Sequence, residues 1–110
     1  MAIQKSTPDE KIIGNKVYKV SEYALISEKN YVTQGEKVII VKDIDFCKLK
    51  LDSLTTDDVF IKSFTNTLII SDIGFIDEQY DTISLNKGAS THLKFIMGIW
   101  YIISSDGNKN

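Results

Sequence analysis

The chain has 110 residues, of which 43% are apolar and 25% charged, and a formal net charge of −2. That balance is globular rather than disordered, and the length is that of a single domain. The basic residues are all lysines interleaved with carboxylates, so there is neither a basic stripe for nucleic acid nor the bidentate arginine fork that grips phosphate.

The first dozen residues, through the polar run Ser6-Thr7-Pro8-Asp9-Glu10-Lys11, hold the only proline, and the segment is taken as 1–14. It is expected to form a flexible N-terminal arm or linker, followed by a single β domain over 15–107 and a C-terminal tail at 108–110. The opening residues lack the apolar core of a secretory leader, so synthesis and folding in a host cytoplasm are expected. No apolar run reaches the length of a membrane span, and no membrane partner is expected.

From residue 17 onward, short β-rich runs alternate with turn residues. Strands are predicted at 17–20, 23–27, 38–42, 47–51, 59–62, 67–70, 82–85, 92–96 and 100–103. Between them lie the Gly, Asp, Asn and Ser clusters that make turns, such as Gln34-Gly35-Glu36, Thr55-Thr56-Asp57-Asp58 and Asn86-Lys87-Gly88. A weak helical pattern overlaps the strand at 21–28, and elsewhere no apolar period of 3.6 residues is sustained.

In Cys47-Lys48-Leu49-Lys50-Leu51 the apolar side chains share one face and the lysines the other. Val38-Ile39-Ile40-Val41 and Leu68-Ile69-Ile70 are instead apolar on both faces. Such strands need a second cover, from another sheet or a neighbouring subunit. The stretches 38–51, 59–70 and 83–95 each read as two short strands around a polar corner. The expected fold is therefore all-β, as a small β-sandwich or a short trimeric β-helix or β-prism-like module.

Candidate chemistry is sparse. His92, the only histidine, lies near Ser90 and Asp81 but shares the polar face of its strand with Lys94, which reads as a surface position. One His and one Cys cannot supply a zinc site. The acids Asp43, Asp45, Asp77, Glu78 and Asp81 lack the spacing of a calcium loop and read as solvated turn carboxylates. Cys47, on an apolar face and without a cysteine partner, reads as a buried, inert thiol. Neither a catalytic residue, a metal nor a cofactor is expected, and the chain reads as no enzyme. Among the aromatics, Tyr18, Tyr23, Tyr31, Tyr80 and Tyr101 suit a half-wet docking surface. Tyr31, Tyr80, Trp100 and Tyr101 are the candidate partner-binding or interface residues.

The segment from Asp81 to Ser105 is the most distinctive. Gly88 and Ser90 form a corner, 90–96 an alternating strand, Met97-Gly98 a tight turn, and Trp100-Tyr101-Ile102-Ile103 a return strand ending in serines. This closing hairpin resembles that of bacteriophage virion appendage proteins, such as tail-fibre, head-fibre and capsid-decoration modules, although Met97 replaces the usual Asn or Thr beside the glycine. The resemblance spans roughly residues 31 to 107. It implies a virion structural protein, commonly a homotrimer, that is located in the virion, docks on other virion proteins and needs no cofactor. A carbohydrate- or receptor-binding β module, directed at a host-surface glycan, is the alternative.

Overall fold

The computed structural model describes residues 2–6, 9–13 and 16–106, with the side chains of 3–6 and 21–106. Its regular elements are all strands. They are β1 (Ala2–Lys5), β2 (Asp9–Ile13), β3 (Lys16–Val20), β4 (Tyr23–Ser27), β5 (Asn30–Val32) and β6 (Val38–Val41), followed by β7 (Phe46–Lys50), β8 (Asp58–Ser63), β9 (Asn66–Ile70), β10 (Thr82–Leu85), β11 (Ser90–Ile96) and β12 (Ile99–Asp106). The helical pattern at 21–28 resolves as β4. Its alternation buries Ala24 and Ile26 while Tyr23 stays out, and that two-residue period wins over a weak helical one.

Two mixed sheets share one core. The larger has the order β1-β4-β6-β8-β11-β12, the smaller β10-β9-β7-β5, and β2 and β3 form a separate hairpin. The centre of each sheet is parallel, with β4, β6 and β8 side by side in one and β5, β7 and β9 in the other. The chain therefore winds in three rungs, β4–β5, β6–β7 and β8–β9, each giving one strand to each sheet. Tyr23 pairs with Val38, and Val38 with Phe60 in the next rung. The architecture is that of a small sandwich whose connections coil like a short β-helix, all within one chain.

The predicted repetition contained the rungs at 38–51 and 59–70. The third stretch, 83–95, differs in direction. Strand β10 runs antiparallel to β9, and β11 antiparallel to β8, so the chain reverses there and β12 closes the larger sheet. The arm expected over residues 1–14 is revised at its start, because Ala2–Lys5 pairs antiparallel with β4 along Ser27 to Ala24. Ile3 and Lys5 alternate with Gln4, but four residues without flanking turn signals are too few to mark a strand. Residues 9–13 belong to the β2–β3 hairpin. Met1, residues 7–8 and 14–15, and 107–110, including the tail, lie outside the described residues.

The core is a single layer between the sheets. Ile26, Ile39, Val41, Val59, Ile61, Leu93 and Trp100 come from the larger sheet and Tyr31, Cys47, Leu49, Ile69 and Leu85 from the smaller, all of them buried. Corners of successive rungs are tied by hydrogen bonds. Asp52 N–H donates to Thr33 Oγ1 at 2.8 Å, Gly35 N–H to Thr56 Oγ1 at 2.8 Å, and Thr65 Oγ1 to the Asp45 carbonyl at 2.7 Å. Glu36 is fully buried. Its carboxylate accepts from the Tyr31 hydroxyl and from Gln34 N–H at 2.8 Å, and lies 3.3 Å from Lys5 Nζ. That cluster fastens β1 to the first rung, since an unpaired buried carboxylate would be costly.

The β11–β12 hairpin turns at Met97 (φ 50°) and Gly98 (φ 86°). Glycine adopts this left-handed backbone freely, whereas methionine is strained there, and its side chain is 96% exposed with nothing gained by packing. Asparagine tolerates the conformation better. Met97→Asn is therefore expected to stabilise the protein by about 0.5–1 kcal/mol, read as a higher urea midpoint at unchanged slope.

Candidate functional site

The four aromatics expected at an interface separate into two groups. Tyr31 and Trp100 are core residues, which corrects the expectation that they face a partner. Tyr31 is 6% exposed, and its hydroxyl is spent on Glu36. Burial, together with the Glu36 hydrogen bond and charge, raises its pKa well above the usual phenol value. Trp100 is fully buried, stacks at a tilt on Phe95 with ring centroids 5.2 Å apart, and donates Nε1–H to Asp72 at 3.1 Å. The alternation of β12 decides this, since adjacent residues face opposite sides. Trp100 turns in and Tyr101 stays half-exposed.

Tyr80 and Tyr101 remain accessible. Tyr80 is 44% exposed in the loop that follows β9, and the Tyr101 hydroxyl donates to Glu78 of that loop at 3.1 Å. The loop grips the start of β12. Asp77 N–H donates to the Trp100 carbonyl at 2.8 Å, and Asp77 Oδ1 accepts from Ile102 N–H at 2.8 Å. Asp77 and Glu78 both hold left-handed backbone, at φ 55° and 61°, a strained arrangement held in place by those bonds. Tyr23 is exposed, whereas the side chain of Tyr18 lies outside those described.

An apolar face that sequence reasoning did not assemble lies on the outer side of the larger sheet. The pairing register sets Tyr23, Val38 and Phe60 in one row across β4, β6 and β8, with Leu25 and Ile40 in the row beside it. Tyr23 is 44% and Phe60 39% exposed, and the other three are half-buried. The rim is polar. Gln4 pairs with Leu25, Lys62 with Ile40, and His92 with Phe60. The two-sided apolar pattern of residues 38–41 was the signal for this face, but the register that joins Tyr23 and Phe60 to it is not visible in sequence.

His92 stands on that rim as a partly exposed residue. Its Nε2 meets the Asp58 carboxylate, which also lies 3.9 Å from Lys94 Nζ. Asp58, not Asp81, which is nearer in sequence, is therefore its acid partner, on an open sheet face. Cys47 is fully buried, and burial pushes its thiol up to about 11. Among the described residues, no cluster of His, Cys, Asp and Glu is arranged to hold a metal.

No family model, curated protein or solved structure matches this chain.

Asp72 joins the rung corners to the core beneath the Tyr80 loop. Its Oδ2 accepts from Ser53 N–H and Ser53 Oγ–H, each at 2.8 Å, and its Oδ1 from Trp100 Nε1–H. Burial pushes its pKa up, but the Ser53 and Trp100 hydrogen bonds outweigh it and hold the carboxyl below the usual range. A carboxyl that titrates lower when folded contributes its stability above the unfolded value of about 3.9 and loses it as pH falls through the folded value. Asp72→Asn is expected to lower stability at neutral pH by about 1–3 kcal/mol. It should also flatten the loss of stability below about pH 4. Urea unfolding across that range checks both, and an unchanged acid limb would contradict the assignment.

Proposed function

We propose that this chain is a non-catalytic structural module of a bacteriophage virion that acts by docking, as a homotrimer and on other virion proteins. The observation that carries the docking reading is the outer face of the larger sheet, where Tyr23, Val38 and Phe60 lie in register beside Leu25 and Ile40. An apolar centre with a polar rim is the anatomy of a protein interface, and a contiguous exposed apolar patch is costly to leave in water.

A small domain also gains from assembly, because it keeps a large share of its surface in solvent when alone. The inner faces of the two sheets supply one core layer, and a partner on the outer face would supply a second. The virion assignment rests on the resemblance of residues 81–105 to the closing hairpin of phage appendage modules. In that setting the core strands serve as a rigid platform, and no chemistry is asked of His92 or of the acids.

Light scattering after size exclusion is expected to give the mass of three chains, and Phe60→Lys to give one while keeping the β-sheet spectrum. Peptides of the chain are expected in purified particles of the phage that encodes it. A wild-type monomer at all concentrations, or particles without the protein, would contradict the proposal.

A further inference from the structure

The geometry points to a saccharide-binding groove at the corner end of the rungs, beyond the Lys62 rim of the outer apolar face and independent of the assembly reading. The groove is open to solvent, has a volume of about 440 Å³ and is lined by Asp43, Ile44, Asp45, Phe64, Thr65, Asn66 and Lys87. That volume falls within the roughly 300–1,000 Å³ of small-ligand clefts, enough for a sugar unit at the end of a longer glycan.

Three successive corners build it. Residues 42–45 link β6 to β7, residues 64–65 link β8 to β9, and Lys87 lies in the corner between β10 and β11. The first two are locked together by Thr65 Oγ1 donating to the Asp45 carbonyl at 2.7 Å and by Phe64 N–H donating to the Val41 carbonyl at 2.8 Å. Left-handed backbone at Asp43 (φ 59°) turns the first corner. The walls are therefore fixed by the fold before a ligand arrives, which lowers the ordering cost of binding.

The lining selects the ligand class. Phe64 is 51% exposed, which leaves ring surface suited to the C–H face of a pyranose. Lys62 restrains it from one side, with its ammonium 5.6 Å from the ring centroid and donating to the Gly88 carbonyl at 2.7 Å. Asp43 and Asp45 offer acceptors, Lys87 offers donors, and the Asn66 amide offers both. A neutral polyhydroxyl compound presents donors and acceptors together and matches that mixture. An anion would be repelled by the two carboxylates, and their pull on a cation is offset in part by Lys87.

The test is a titration of the isotope-labelled full chain with galactose, glucose and N-acetylglucosamine in turn, followed by amide chemical shifts. At least one sugar is expected to give saturable shifts concentrated at residues 43–45, 64–66 and 87. Phe64→Ala should weaken that binding by about tenfold, and Asp45→Asn should weaken it too, each with the remaining spectrum intact. Phe75→Ala, which removes an equally exposed aromatic outside the groove, should leave it unchanged. Failure of all three sugars to give saturable shifts in the groove, or equal binding by the Phe64→Ala variant, would overturn the inference. So would saturable groove binding of tetramethylammonium in place of the sugars.

Discussion

The inward-facing residues of the three parallel rungs, packed between two short sheets, are the contact on which the molecule depends. Ile26, Ile39, Val41, Val59 and Ile61 meet Tyr31, Leu49 and Ile69 in one buried layer. Because each rung places one strand in each sheet, a side chain lost from any rung opens a hole against both neighbours and the facing sheet. Cavities of that kind cost a protein about 2–5 kcal/mol per large aliphatic residue. The single layer also explains the polar work at the corners. With so little apolar depth, the strand-connecting carbonyls and N–H groups must be satisfied locally, as Thr33, Thr56 and Thr65 do for the corners beside them.

The same geometry divides the surface. Strict alternation sends every second residue outward. On β7 those are Phe46, Lys48 and Lys50, largely suited to water. On β4, β6 and β8 they are mostly apolar, and the parallel register lines them up. A parallel sheet ordinarily has both faces covered. Here the described chain covers the inner face, and the outer one retains exposed Tyr23 and Phe60. The proposed assembly follows from that imbalance. The corners, by contrast, carry mixed polar chemistry around Phe64, which gives the module two surfaces of different character.

Much of this was legible in the sequence, and the misses have physical causes. Strands β3, β4 and β6 to β12 were readable, from alternation between turn residues in stretches such as 47–51 and 92–96 and from two-sided apolar runs between turn residues at 38–41 and 68–70. Strand β5 was missed because only Tyr31 of its three residues turns inward, too short a run to show a period. Pattern carries no direction, so the stretch 83–95 looked like another rung although it runs backward. Glu36 sits in a Gln-Gly-Glu turn that reads as solvated; its burial depends on Lys5 and Tyr31 arriving from elsewhere in the chain. The interface candidates failed where a polar partner within the chain absorbed the aromatic tip, namely buried Glu36 for Tyr31 and half-buried Asp72 for Trp100. The groove was not legible at all. Its residues come from three corners, and only the rung stacking makes them neighbours.

In the proposed assembly the outer face of β4, β6 and β8 is covered. The most direct measurement is alkylation of a thiol placed on that face by Val38→Cys, compared with one at the exposed turn by Met97→Cys. The native Cys47 is buried and its thiol is pushed up to about 11, so it leaves the signal clean. As protein concentration rises through the association range, labelling at position 38 is expected to slow while labelling at 97 holds steady. Equal, concentration-independent rates at the two positions would mean that the face stays open and that the docking account is mistaken.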